Sequence, residues 1–285
     1  MLNGRGRLIG DFTLCRVSDE RFFVVGTYAA EVFYLRWFEQ HLPPTGVSVR
    51  PCAMEYLGLS VAGPESRAVL QKLVDHDLST AAFPFMSFAQ MDVGMVPALV
   101  GRVSFTGEMG YEMWVTSEYL RTLYDLLHEA GKAHGLKNFG GRALNSLRLE
   151  KSFGNWAREF RPIYGPYEAG LGRFVHLDKP DFIGKGAAAA EKASGGVRKL
   201  ITLAVDAKDA DAIGDEPIWH GDKVVGWVTS GGYGHTVGKS IALGYVDNAV
   251  AGETQGFAVE LMGERRAAVR SAGALVDPQG LRMRT

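Results

Sequence analysis

Cysteine is scarce in this 285-residue chain: only Cys15 and Cys52 occur. They form neither a CxxC pair nor a metal-ligand spacing, which excludes a disulfide scaffold and a thiolate metal centre and fits a reducing cytoplasm. Excess charge is missing too, with a formal net charge of −1. A balanced chain offers no electrostatic footprint, so neither nucleic acid nor an anionic membrane is expected as a partner. No apolar run approaches the roughly 20 residues that span a bilayer. The opening Met1-Leu2-Asn3-Gly4-Arg5-Gly6-Arg7 lacks the apolar core of a signal peptide. No internal repeat is visible. No GxGxxG follows a strand pattern, and Ser230-Gly231-Gly232 opens no helix, so a dinucleotide crevice and a phosphate loop are both rejected. His76 and His235 lack neighbours at ligand spacing, and no metal is expected.

What is present is an ordinary globular composition, 46% hydrophobic and 22% charged, in a chain long enough for two or three packed layers. The most organised stretch runs over residues 95–116. An apolar run leads into a loop ending Gly107-Glu108-Met109-Gly110, and an alternating strand leaves it. Two glycines in so short a loop require positive φ or a close backbone approach. On the outgoing strand Tyr111, Met113 and Val115 point one way, Glu112 and Trp114 the other. That pattern alone is satisfied by an edge strand with Glu112 in water. It is equally satisfied by a carboxylate kept beside a Trp for binding.

Around this hairpin the chain reads as alternating strands and helices. Residues 8–17 and 22–25 are expected as a strand pair joined by a turn at 18–21, with Asp11 near the start of the first strand. A helix over 28–42 offers Val32, Leu35, Trp37 and Phe38 as an apolar face and stops at Pro43-Pro44. Short strands are expected at 47–49 and 57–61, then a helix over 64–74 with Pro64 in its first turn. Ser117 is placed as the N-cap of a helix ending at Gly131. A further helix over 140–151 sets Leu144 and Arg148 on one face, where the guanidinium either snorkels to water or is held near a cleft by a carboxylate or a ligand oxygen. Past a polar linker at 191–196, five glycine-parted strands (199–205, 223–229, 240–246, 258–261, 265–269) read as a small barrel or sandwich.

The stretch Ser104-Phe105-Thr106-Gly107-Glu108-Met109-Gly110-Tyr111-Glu112 resembles the signature of the glycine cleavage system T-protein, a tetrahydrofolate-dependent aminomethyltransferase. The same domain forms the C-terminal half of dimethylglycine and sarcosine dehydrogenases. The segments Phe153-Gly154-Asn155-Trp156 and Pro166-Tyr167-Glu168-Ala169-Gly170-Leu171 resemble the dehydrogenase branch. So do Glu216-Pro217-Ile218-Trp219 and residues 226–235. Asp181-Phe182-Ile183-Gly184 is similar to a turn common to both branches.

The resemblance implies an α+β fold of antiparallel sheets with flanking helices, the aminomethyltransferase folate-binding fold, over residues 1–190. A small β-barrel domain would follow over 197–285. It implies that Glu112 binds the pterin, a carboxylate being able to accept two parallel hydrogen bonds from a 2-amino-pyrimidinone edge. Asp11 matches the acidic residue beside the transfer nitrogens, with Gly10 in place of a second aspartate, and is the expected catalytic group. Arg148 matches an arginine that contributes to the folate site. Phe105 replaces the family's usual tyrosine, retaining a ring that can stack but losing a hydroxyl worth about 1 kcal/mol.

The implied activity is transfer of a one-carbon unit from a glycine-derived methylated amine or aminomethyl donor to tetrahydrofolate, giving 5,10-methylenetetrahydrofolate. A non-catalytic folate-binding module and a folate-dependent demethylase of a sulfonium or aryl ether are the alternatives. Relative to the T-protein, the strands and helices before the Met1-Leu2-Asn3 segment have no counterpart in the sequence. The flavin half of the dehydrogenases also has none. An open sheet edge is therefore expected, covered by a second copy of the chain or by a separate flavoprotein.

Overall fold

The computed structural model describes residues 1–285 and places the alternating strand after Gly110 inside a sheet. By compactness the chain divides into two units that do not follow its linear order. One comprises Phe12–Gly140 with Gln279–Thr285, the other Met1–Asp11 with Gly141–Pro278.

The first unit begins with the expected hairpin, β1 (Thr13–Arg16) and β2 (Phe22–Val25). β1 is shorter than the alternation suggested. Leu8 and Ile9 bond backwards, Leu8 to Leu2 in an antiparallel bridge and Ile9 N to Met1 O, so residues 1–10 fold on themselves and leave Asp11 outside the strand. Helix α1 (Glu31–His41) follows a short 3-10 turn. It buries Tyr34, which meets Phe12 edge-on at 4.6 Å, and leaves Val32 exposed despite its place on the expected apolar face.

β3 (Tyr56–Ala62), β4 (Phe88–Val93), β5 (Val96–Gly101) and β6 (Gly110–Thr116) form a four-stranded antiparallel sheet in the order β3-β6-β5-β4. β6 is therefore an interior strand, not an edge. β4 was not legible, and residues 47–49 form no strand. Tyr111, Met113 and Val115 are fully buried against α2 (Ser66–Gln71) and α3 (Leu120–Gly131) through Leu70, Leu123 and Leu127. α2 begins only after Pro64, and Ser117 opens a 3-10 turn ahead of α3 instead of capping it. The opposite sheet face carries Glu112 and Trp114. Phe23 of β2 packs edge-on against Trp114 at 5.6 Å, so the hairpin covers that face. The unit is thus three layers of helices, sheet and hairpin.

In the second unit α4 (Gly141–Glu150) and α5 (Lys185–Ser194) accompany a closed barrel of six strands. These are β7 (Arg198–Val205), β8 (Pro217–His220), β9 (Lys223–Gly234), β10 (Lys239–Asp247), β11 (Phe257–Leu261) and β12 (Glu264–Ser271), closed as β10-β7-β12-β11-β8-β9. Five were expected. The sixth, β8, escapes sequence reading because it is four residues long and opens on Pro217, a residue tolerated at a strand's first position. The barrel is filled by Leu203, Ile218, Val228, Ala242 and Val259, all fully buried. No helix is long and apolar enough to cross a membrane.

Candidate functional site

In the first unit the site begins with Glu112, on the middle of β6, opposite Ser60 of β3 and Gly101 of β5. The carboxylate is half-buried and has no hydrogen-bond or ion-pair partner within the chain. Burial alone pushes its pKa above the ordinary glutamate value. Two residues on, the indole of Trp114 lies flat across its neighbours because they are glycines. A Cβ at Gly58 would stand 3.1 Å from its Cδ1, and one at Gly101 3.3 Å from its Cζ3. Phe23 and Phe88 border the same ring, Phe88 at 6.3 Å.

Cys15 pairs with Phe23 across the hairpin and faces the same layer. Its thiol is pushed up to about 11, first by burial and then by the negative charge of Glu112. The sequence marked Glu112 and Trp114 but gave no sign that Cys15 and Phe23 would roof them.

The loop over residues 102–109 leads into β6 and carries Phe105, which is partly exposed. Its form is fixed internally. Ser104 Oγ meets Thr106 Oγ1 at 3.2 Å and accepts from Gly107 N at 3.1 Å, while Glu108 N donates to Thr106 Oγ1 at 3.3 Å. Gly107 has φ +83°, and a Cβ at Gly110 would press on Val61 O at 3.2 Å, so both readings of the paired glycines hold.

The second unit holds Asp11 and Arg148. Asp11 follows the folded-back segment, in which Met1 N donates to Gly10 O at 2.8 Å and Trp156 Nε1 donates to Ile9 O at 2.9 Å. Its side chain is open to solvent, yet the protein around it raises its pKa. A hydrogen bond from its own backbone and the Met1 ammonium oppose that rise.

Arg148 is held by a carboxylate, one of the alternatives its position allowed. Nη1 donates to Phe153 O at 2.9 Å and lies 3.4 Å from Glu159 Oε2, and Nε donates to Asn145 Oδ1 at 2.9 Å. Glu159 is wholly buried and accepts from Asn155 N at 2.9 Å and from Thr229 Oγ1 and Ser230 Oγ at 2.6 Å. Burial lowers the pKa of the Arg148 guanidinium, and Glu159 opposes that shift. The spacing of the helix pointed to Arg148 but not to Glu159, which no periodicity distinguishes from its neighbours.

Asn145 also donates to Gly231 O at 3.4 Å, joining this network to a recess of about 360 Å³ lined by Gly141, Arg142, Asn145, Ser146, Tyr233 and His235. Glu168 anchors the same unit. Burial alone would raise its carboxyl, but the amides of Gly165, Val197 and Arg198, with Arg7 at 2.9 Å, hold it below the ordinary value.

Residues with this arrangement suit a flat, hydrogen-bonding heterocycle. The carboxylate of Glu112 has no partner in the protein and shares its sheet face with Trp114, so it is free to accept donors without displacing a protein bond.

Comparison with known proteins agrees with the fold. Human mitochondrial dimethylglycine dehydrogenase is 40% identical over 272 residues, covering 94% of this chain and 31% of that protein. The aminomethyltransferase of Thermoanaerobacter sp. (strain X514) is 32% identical over 251 residues, covering 88% of this chain and 68% of that protein. Mouse mitochondrial sarcosine dehydrogenase is 33% identical over the full chain, which covers 33% of it. The chain thus spans about a third of the length of the dehydrogenases it matches. The crystal structure of glycine cleavage system aminomethyltransferase T from Bartonella henselae superposes with a TM-score of 0.83 at 25% identity, covering 98% of this chain and 75% of that one. Residues 1–179 match the GCVT N-terminal domain and residues 198–277 the glycine cleavage T-protein C-terminal barrel domain, and the chain belongs to the glycine cleavage T-protein family.

Proposed function

We propose that this member of an enzyme family is a tetrahydrofolate-dependent one-carbon transferase. Residues 1–190 would bind the folate, and residues 197–285 would form the accessory barrel domain. The observation that carries the reading is the Glu112 carboxylate: interior to a sheet, desolvated, bordered by Trp114, and with no partner in the protein. Leaving a carboxylate in that condition costs stability unless a ligand meets it. Tetrahydrofolate, when bound, supplies the nitrogen that accepts the one-carbon unit.

Glu112 would accept the two N–H donors of the pterin edge, and the Phe105 ring would stack on the bound molecule. Arg148, held by Asn145 and Glu159, would contribute to folate binding, as the resemblance implies. Asp11 would first stabilise the positive charge developing on the donor and then take the proton from the attacking folate nitrogen. The names of the relatives support a methylated amine derived from glycine as donor, with an aminomethyl group as the second possibility. A dehydrogenase and an oxidase subunit among the relatives support a flavoprotein partner chain.

The test is calorimetric titration of the folded chain with tetrahydrofolate under anaerobic conditions. Binding is expected, weakened by about 1.5–3 kcal/mol in Glu112→Ala, the range for a lost charged hydrogen bond. Absence of binding by the wild type would overturn the reading. Equal binding by the variant would remove Glu112 from the site.

A further inference from the structure

Seven residues at the far end of the sequence, Gln279–Thr285, belong to the first unit, although the barrel lies between them and the rest of it in the chain. Gly280 turns the backbone with φ +65°, a helical turn over Leu281–Arg284 follows, and Met283 is buried. This tail grips the loop over residues 102–109 at both ends.

At the start of the loop stands Arg102, fully buried with no carboxylate side chain beside it. Its Nη2 donates to the main-chain oxygen of Thr285 and its Nη1 to Phe83 O at 2.7 Å. Arg67 donates to the same Thr285 oxygen and to Thr80 Oγ1. At the other end, Arg282 Nη1 donates to Glu108 Oε1 at 2.6 Å. Between these anchors lie Phe105 and the short hydroxyl-bonded turn of Ser104 and Thr106.

We infer that the tail is a positioning strap for this loop, with Arg282 as the positioning residue. By holding Glu108 it fixes the entry to β6 and the place of the Phe105 ring over the ligand that Glu112 binds. The role at the ligand rests on the folate reading above; the hold on the loop does not. Arg102 cannot be the test, since unpairing a buried guanidinium would unsettle the fold itself. Arg282 is half exposed, and its loss spares the core.

The experiment compares wild type with Arg282→Ala, Arg282→Lys and the exchange pair Arg282→Glu with Glu108→Arg. Amide hydrogen exchange is followed peptide by peptide, alongside calorimetric affinity for 5-formyltetrahydrofolate. In Arg282→Ala, exchange over residues 102–110 should quicken about fivefold or more while barrel peptides stay unchanged, and affinity should fall several-fold. Arg282→Lys and the exchange pair should recover both. Unchanged exchange in Arg282→Ala, or an exchange pair as fast as the single variant, overturns the strap. If wild type binds no reduced folate the proposed function fails, and the exchange data still decide whether the strap exists.

Discussion

At the scale of single residues, the proposed role of Glu112 would set ligand binding against stability. Burial raises its pKa, so ionising it at neutral pH disfavours the folded state. That disadvantage is complete above the folded-state pKa and fades as pH falls towards the ordinary glutamate value of about 4.3. Glu112→Gln should therefore stabilise the protein at pH 7 by about 0.5–2 kcal/mol, the usual gain when a functional group under strain is neutralised. Urea titrations at pH 7 and pH 4 check this: the gain should shrink at the lower pH, and a gain constant with pH would mean that ionisation is not its cause.

Asp11 behaves differently. A charge that matters only as the transition state forms leaves the ground state alone. Asp11→Asn should keep folate affinity within about threefold while one-carbon transfer falls by two or more orders of magnitude. In the wild type, activity should decline in acid at a pH above the ordinary aspartate value, because burial raises its pKa. The assay couples a flavin dehydrogenase and its methylated amine to tetrahydrofolate, against a no-protein background. A variant as active as wild type would remove Asp11 from the chemistry. The sequence singled out both residues, Glu112 by its place in the alternating strand together with the resemblance and Asp11 by the resemblance. Cys15 and Glu159 were not, since each matters through a partner far away in sequence.

At the scale of elements, the hairpin around residues 101–110 was readable because alternation and paired glycines are local signals. What was hidden was order within the sheet. Nothing in residues 110–116 says that β3 lies on one side and β5 on the other, and that pairing is what desolvates Glu112. Strand β8 was hidden for the opposite reason, being too short to show a period.

Helix α4 gives a further expectation. Its Arg148 meets Glu159 in the interior, so Arg148→Met strands a buried carboxylate. Stability should drop by about 3–5 kcal/mol in urea unfolding followed by tryptophan fluorescence. A drop below about 1 kcal/mol would show that the hydroxyls of Thr229 and Ser230 satisfy Glu159 by themselves.

At the scale of the whole molecule, two kinds of sheet coexist. The barrel closes on itself and has no free edge, while β1 and β2 form a two-stranded sheet whose outer edges pair with nothing. Leu14 and Phe22 on its outer face are 67% and 56% exposed. Such an edge invites a further strand. Sedimentation velocity at micromolar concentration should show self-association or, with a flavoprotein partner, a complex. Charged substitutions at Leu14 and Phe22 should abolish it, and a stable monomer alone and in mixture would refute this expectation. The barrel was foreseeable from the resemblance, whereas the strand pattern alone left barrel and sandwich open because β8, one of its six strands, did not show.

The interleaving of the two units has a consequence for synthesis. Arg102 leaves the ribosome early, but Thr285, which receives its proton donors, leaves after every barrel strand. The barrel can assemble from consecutive strands as they emerge. The unit holding Glu112 must instead wait, with Arg102 bonded only to Phe83 and Thr80, until translation has passed the barrel. Its final locking thus waits on the segment after the barrel, and a chain cut ahead of residue 279 would keep every barrel strand yet leave the loop over residues 102–109 without the contacts of Thr285 and Arg282.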